Sequence, residues 1–161
     1  MFKTEPMTQR VDLATVMDRL AIDALITDYA RSVDDAEWTA YRGLFSPDGR
    51  ADYRSAGGIE GTADEVADWL AENLRIFSMR QHLVVNRRLR FDLTDGAIGD
   101  SARLQADYFN PMRTESTGSA PDFECGGRYV FGLGRTDLGW RIARVEVQEK
   151  WRRTRGPHSA G

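Results

Sequence analysis

Residues 81–93 read QHLVVNRRLRFDL, and along much of this stretch apolar and other side chains alternate. A period of two is typical of a β-strand that turns one face toward a core. The alternation therefore predicts a half-buried strand that begins at His82. One predicted face carries Leu83, Val85, Leu89, Phe91 and Leu93, and the other carries His82, Val84, Asn86, Arg88 and Arg90.

Further strands follow this one, separated by turn and loop signals. Four glycines lie close together in the predicted strand at 123–136. They indicate β-bulges or strong curvature, as a sheet that folds around a pocket requires. The predicted strands are residues 81–93, 98–110, 123–136 and 140–151, with turns at 94–96 and 137–139, a loop at 111–122, and glycines at 126, 127, 132 and 134.

The residues before this sheet have helical spacing. Apolar side chains recur at three- and four-residue steps from Leu20 to Val33, which predicts a helix with one apolar face. A shorter helix follows and stops at the Ser-Pro-Asp-Gly run of residues 46–49, before a brief strand at 50–54. Thr62 and Glu65 form a capping box that opens a third helix. With helices first and an antiparallel sheet after them, the sequence predicts an α+β fold.

Composition limits the possible classes of protein. A chain of 161 residues that is 41% hydrophobic can build one compact domain, and we expect an N-terminal arm at 1–11, the domain at 12–150 and a basic tail at 151–161. A net charge of −3 argues against a nucleic-acid partner. No stretch approaches the roughly 20 apolar residues that span a membrane. With no secretory signal in the first residues and a single cysteine, we expect a cytoplasmic protein.

His82 is the main candidate for chemistry. The only other histidine, His158, lies in the polar tail. A histidine at the start of a strand, with carboxylates and a tyrosine available from elsewhere in the fold, is a candidate proton-transfer centre. The alternative is a core histidine bonded to the backbone. A zinc site needs about four nitrogen or sulfur ligands, more than two distant histidines and Cys125 supply, so we expect no metal and no cofactor.

Several short motifs occur in a set order along the chain, and they are Asp18-Arg19-Leu20-Ala21-Ile22, Tyr29, Val33-Asp34, Trp38, Leu44-Phe45-Ser46-Pro47-Asp48-Gly49, Gln81-His82, Gly127-Arg128-Tyr129 and Asp137-Leu138-Gly139-Trp140-Arg141-Ile142-Ala143. This order resembles the SnoaL-like proteins of the nuclear transport factor 2-like superfamily, over roughly residues 12 to 150. The resemblance implies a cone-shaped curved sheet that helices close around an apolar pocket. It also implies assembly as a homodimer or homotrimer.

The resemblance extends to a candidate catalytic pair. In the branch that resembles scytalone dehydratase, bile-acid dehydratases and hexachlorocyclohexane dehydrochlorinase, an aspartate from the end of the first helix pairs with a histidine from this strand. Asp34 and His82 match those positions, with Asp35 as a rival for the carboxylate. Such a carboxylate fixes the tautomer of the imidazole and stabilises the imidazolium that forms on proton abstraction. The pair suits β-elimination, in which a C–H proton leaves together with water or halide.

Four further residues are site candidates with open alternatives. Tyr29 matches a tyrosine of the bile-acid dehydratase type, so it could donate to a substrate oxygen or simply pack in the core with its hydroxyl satisfied. Asp107 either faces outward or acts catalytically in a polar pocket, because an unpaired buried carboxylate is costly. Arg144 could neutralise Asp107, clamp a substrate anion or form a surface ion pair. Asn86 shares the predicted face of His82, which places it in the pocket lining.

We therefore expect a cofactor-independent lyase, a dehydratase that acts on a hydrophobic cyclic alcohol or ketone of polyketide, steroid or terpenoid type. His82 would be the general base, and Asp34 would orient it. An isomerase or polyketide cyclase in the same pocket is one alternative. A non-catalytic small-ligand-binding protein is another. The basic run of Lys150, Arg152, Arg153 and Arg155 is expected to be a solvated tail rather than a contact for an acidic partner.

Overall fold

The computed structural model describes residues 12–114 and 118–155. Within these ranges the strands form one seven-stranded sheet in the order β2-β1-β7-β6-β5-β3, and β4 also pairs with β5. All of its pairings are antiparallel except that of β1 with β7. The elements are α1 Leu13–Asp34, α2 Trp38–Gly43, β1 Phe45–Asp52, β2 Glu60–Thr62, α3 Ala63–Asn73, β3 Met79–Arg80, β4 Leu83–Leu93, β5 Ser101–Arg113, β6 Phe123–Thr136 and β7 Gly139–Thr154, with 3₁₀ turns at Arg54–Ala56 and Leu74–Ile76.

The predicted α+β class is confirmed, with the helices packed on one face of a curved, open sheet. Asp12 starts α1 by accepting the Thr15 backbone N–H at 2.8 Å, and the predicted capping box starts α3, with Thr62 and Glu65 bonded reciprocally. Each interaction satisfies backbone donors that a helix start leaves free. None of the helices in the described ranges is both long and apolar enough to cross a membrane.

Several predicted boundaries differ from the structure. The Ser-Pro-Asp-Gly run at 46–49 follows the end of α2 as predicted, but it lies inside β1, which starts at Phe45 rather than at residue 50. At the other end, β7 continues to Thr154, so Arg152 and Arg153 belong to the sheet rather than to a solvated tail. Each pairs with a carboxylate, Arg152 with Glu149 and Arg153 with Glu124. The predicted arm at 1–11 and His158 lie outside the described residues.

The predicted faces of β4 are wrong in its first half, because a β-bulge changes the phase of the strand. Val85 pairs with Asp107 and Arg88 with Gln105, so two residues of β4 oppose one residue of β5. Asn86 takes a φ of 52° at this bulge. Leu83 and Val85 are consequently 43% and 46% exposed on the outer face, whereas Val84 packs against the core.

The bulges expected at the β6 glycines occur opposite them, because the extra residues, Ala143 and Lys150, lie in the paired strand β7. The register of β6 against β7 shifts between Gly126 and Gly127 and again between Gly132 and Leu133. A Cβ atom on Gly127 would lie 2.2 Å from the backbone oxygen of Gln148. Only glycine allows the two backbones to approach this closely. The sheet therefore bends around the helices, and the core of aliphatic and aromatic side chains lies on its concave face.

A polar cluster holds the start of α1 to the sheet, at the end of the helix opposite Asp34. Arg135 bridges Asp18, at 2.7 Å, and Asp100, at 3.1 Å, and Trp140 donates its indole N–H to Asp18. Asp100 is 1% exposed and accepts two backbone N–H groups of its own turn. These contacts satisfy the buried carboxylate and fix α1 along the sheet.

Gly127→Ala should lower the free energy of unfolding by about 2 kcal/mol, because the new methyl group must displace the backbone of β7. Urea denaturation followed by circular dichroism measures the difference. Gly132→Ala is the matched control on the same strand. Its Cβ would meet no atom closer than 3.9 Å, so its stability should equal or slightly exceed that of the wild type. Equal stabilities of the two variants would contradict the close approach at Gly127.

Candidate active site

His82 and Asp34 meet where the C-terminal end of α1 reaches the segment between β3 and β4. One carboxylate oxygen, Oδ1, lies 2.5 Å from Nδ1 of His82, and the other, Oδ2, accepts the backbone N–H of His82 at 2.9 Å. The two side chains are 9% and 16% exposed. Because a carboxylate only accepts hydrogen bonds, Nδ1 carries a proton, which leaves Nε2 as the basic nitrogen of a neutral ring. Asp35, the rival carboxylate, is exposed just beyond the helix.

Arg80 holds Asp34 in this position. Its guanidinium donates to the backbone oxygens of Val33 and Asp34 at 3.1 and 3.0 Å. It also donates to the backbone oxygens of Leu74 and Phe77, at 2.9 and 3.2 Å. The carbonyls at the end of a helix lack hydrogen-bond donors within the helix. Here the Arg80 side chain provides donors for two of them. Arg80 is not predictable as a site residue from the sequence, because nothing in the local pattern distinguishes it from a surface arginine.

His82 lines a cavity of about 270 Å³ on the concave side of the sheet. Most of the lining is aliphatic or aromatic, as in small-molecule sites generally, and the polar groups are few. The aliphatic and aromatic lining residues are Val33, Tyr53, Ala56, Trp69, Leu70, Leu74, Phe77, Tyr108, Met112, Phe123, Tyr129 and Val147, and the others are Asn73, His82, Asn110, Cys125, Glu149 and Arg152.

Tyr29 does not line this cavity. It is completely buried, and its hydroxyl bonds to that of Tyr53, which does line the cavity. Burial raises the pKa of the Tyr29 phenol well above its usual value, so the group stays neutral. Of the two alternatives open for Tyr29, the structure has core packing with a satisfied hydroxyl. Any contact of Tyr29 with a substrate would have to act through Tyr53.

The structure does not bring the other three candidates into the cavity. Asp107 faces outward, where it accepts from Asn86 at 3.2 Å and from Arg128 at 3.0 Å. These two hydrogen bonds lower the pKa of the Asp107 carboxyl. Asn86 was expected to line the pocket, and the bulge in β4 turns it to the outer face instead. Arg144 forms the surface ion pair that was one of its alternatives, with Asp52 at 3.4 Å and with Glu60 at 3.2 Å.

Three polar residues that were not predicted as site residues also line the cavity, and they are Asn110, Glu149 and Arg152. Asn110 and Tyr108 lie on one face of β5, opposite Asp107, so strand alternation could have found Asn110. Glu149 and Arg152 form an ion pair at the cavity, with the Arg152 guanidinium also bonded to the backbone oxygen of Ala56. The register shift in β7 that orients this pair has no signal in the sequence. Among the described residues, no cluster of three or more histidines, cysteines or carboxylates could hold a metal ion.

The SnoaL-like domain family matches residues 14–146 of the chain, and the chain therefore belongs to this family. An uncharacterized protein of Mycobacterium tuberculosis (strain ATCC 25618 / H37Rv), Rv2910c, is 34% identical over 134 residues, which are 83% of this chain and 86% of that protein. The resemblance inferred from the sequence motifs is thereby confirmed.

Two solved structures illustrate the shared fold. A hexachlorocyclohexane dehydrochlorinase (LinA) of type 2 superposes with a TM-score of 0.75 at 20% identity, over 94% of this chain and 98% of that one. A protein of Novosphingobium aromaticivorans DSM 12444, provisionally named scytalone dehydratase, superposes with a TM-score of 0.64 at 18% identity, over 91% and 97%. At these identities the likeness establishes the shared fold.

Cys125 should be an unreactive thiol although it lines the cavity. Burial, followed by the nearby Glu149 carboxylate, raises the pKa of the thiol to about 11, and only the thiolate is nucleophilic. At pH 8 its alkylation by iodoacetamide, followed by intact mass, should be at least about a hundredfold slower than that of a free thiol of pKa about 8.5. The urea-unfolded chain is the control and should react at the ordinary rate. Equal rates in the folded and unfolded protein would contradict this environment.

Proposed function

We propose that the protein is a cofactor-independent lyase that removes water, or another small leaving group, from a hydrophobic cyclic substrate. The observation that carries this proposal is the His82–Asp34 pair, held at 2.5 Å on the wall of a mostly apolar cavity. The cavity accommodates an apolar substrate, and the pair supplies one oriented base. The dehydrochlorinase with the same fold, which its name assigns to an elimination reaction, supports this class of chemistry.

In the proposed reaction, Nε2 of His82 takes a proton from a carbon atom of the substrate. The electron pair of that C–H bond forms a C=C bond as the adjacent C–O bond breaks. The imidazolium then returns the proton to the departing hydroxyl, and water leaves. Asp34 holds the ring and stabilises its positive charge throughout. The reaction needs no oxidant or reductant, since the substrate loses only the elements of water.

The remaining acceleration must come from other groups around the substrate. A positioned general base contributes about 10²–10⁴-fold, and hydrogen-bond donors at the developing oxygen charge supply more. Tyr53, Tyr108 and Tyr129 line the cavity, and burial raises the pKa of each. Because they stay protonated at neutral pH, they are suitable donors to a carbonyl or leaving oxygen. They take the place proposed for Tyr29 from the sequence.

His82→Ala and Asp34→Asn should each reduce turnover at least about a hundredfold without unfolding the protein. The first removes the base, and the second removes the charge that stabilises the imidazolium. Turnover is measured on a panel of one- and two-ring β-hydroxy ketones, by the ultraviolet absorbance of the conjugated product. Asp92→Asn is the matched control, because its carboxylate pairs with Arg103 on the surface, away from the cavity. Wild-type turnover in both site variants would exclude the proposed pair.

The products distinguish this proposal from its alternatives. An elimination releases water, so the product is lighter than the substrate by one water molecule. Isomerisation or cyclisation without dehydration conserves the mass and would replace the lyase proposal by proton transfer in the same pocket. A wild-type protein that binds the panel without turnover, with affinities that His82→Ala barely changes, would favour a ligand-binding protein.

A further inference from the structure

Asn110 lies beside His82 on the cavity wall. Leu83 pairs with Phe109 and Arg80 with Met112, and the same antiparallel register places His82 opposite Asn110. Directly opposed side chains of antiparallel strands have Cβ atoms about 5 Å apart. Both residues line the cavity. A molecule that reaches Nε2 of His82 is therefore also within reach of the Asn110 side chain.

The side-chain oxygen of Asn110 lacks a hydrogen-bond partner within the described residues. Asn110 is 5% exposed, and its Oδ1 is the buried side-chain atom left without a donor. The nearby Cys125 thiol does not supply one, because it points to the backbone oxygen of Asn110 instead, at 3.9 Å. Buried polar atoms in folded proteins are almost always paired, since leaving one unpaired costs stability. An unpaired acceptor on a residue that lines the cavity beside a candidate base indicates that a ligand provides the donor.

The size of the cavity limits the carbon skeleton of that ligand. An apolar cavity of about 150 Å³ holds one benzene ring, and this cavity measures about 270 Å³. It therefore has room for one ring or two fused rings, and a four-ring skeleton would project from it. Trp69, Phe77 and Phe123 provide apolar and aromatic walls for such rings.

We propose that Asn110 is a specificity-determining residue whose Oδ1 accepts a hydrogen bond from a hydroxyl group on a one- or two-ring substrate. The inference deepens the proposed function, on which it rests for the reaction that follows binding. The hydrogen bond sets the rotation of the rings in the cavity and so selects the carbon that faces His82. The proposal also limits the substrate class. Of the polyketide, steroid and terpenoid types expected from the sequence, it excludes four-ring steroids and favours smaller hydroxylated rings.

The test compares two probes of nearly equal size, 2-naphthol and 2-fluoronaphthalene, by isothermal titration calorimetry. The fluorine atom fills about the same space as the hydroxyl but donates no hydrogen bond. Because the two probes differ in hydration, the informative quantity is the ratio of their affinities in each protein. The ratio in favour of 2-naphthol should fall at least about tenfold from the wild type to Asn110→Leu, which has a similar volume and no acceptor.

Asn73→Leu is the matched control. Asn73 also borders the cavity, and its amide nitrogen donates to the backbone oxygen of Trp69 at 2.8 Å. Because Asn73 is exposed, solvent water satisfies its side-chain oxygen, so the ratio should stay at the wild-type value. Asn110→Asp retains an acceptor and should retain the preference for 2-naphthol. Circular dichroism checks the fold of each variant, and Asn110→Ala replaces Asn110→Leu if the latter does not fold.

An unchanged ratio in the folded Asn110→Leu or Asn110→Ala variant would overturn the inference, as would an equal fall in Asn73→Leu. The result is independent of turnover. If the ratio falls as expected while His82→Ala and Asp34→Asn keep wild-type turnover, the hydroxyl site stands and the proposed elimination fails. If both site variants lose turnover while the ratio stays unchanged, the elimination stands and the role of Asn110 fails.

Discussion

One guanidinium group connects the segments that form the site. Arg80 donates to backbone oxygens at the end of α1 and to others in and after the 3₁₀ turn that follows α3. Helix C-termini attract cations because their free carbonyls carry partial negative charge, and here the cation is itself a sheet residue in β3. The position of Asp34, and through it the His82 ring, depends on this contact. So does one wall of the cavity, since Leu74 and Phe77 are held by the same side chain.

Curvature is the second requirement for the cavity. An evenly paired sheet would lie too flat to enclose a space between itself and the helices, and bulges increase its bend. In β6 the bends coincide with Gly127 and Gly132, where the sheet changes register. At the bulge in β4, Arg87 donates a hydrogen bond to the carboxylate of Asp23 on α1 at 2.5 Å. The irregular positions thus both bend the sheet and tie it to the helix that carries Asp34.

Charged groups are divided between the two sides of the sheet. On the outer face, carboxylates pair with arginines, as Asp107 does with Arg128 and Asp52 with Arg144. On the concave side, the lining is largely apolar, and the charged side chains at its wall form two pairs, His82 with Asp34 and Arg152 with Glu149. A carboxylate and an imidazole interact more strongly where water is scarce, because the local dielectric constant is lower. This separation explains why Asp107 and Arg144, which looked like site residues in the sequence, have a structural environment instead.

The sequence by itself determined the three helices, the four long strands after them, the irregular pairing at the β6 glycines and the family, because periodicity, caps and glycine spacing are local properties. It also singled out His82 and Asp34, through the family resemblance. Only the tertiary structure decided which side chains face the cavity. Alternation along β4 assigned Asn86 to the pocket and failed because one extra residue at the bulge puts the two halves of the strand out of phase. Arg80 and Asn110 escaped notice for a related reason. Alternation along β5 gives the face of Asn110, but the roles of both residues depend on contacts with segments distant in the chain. No local pattern records which backbone oxygens or empty spaces a folded chain will bring to them.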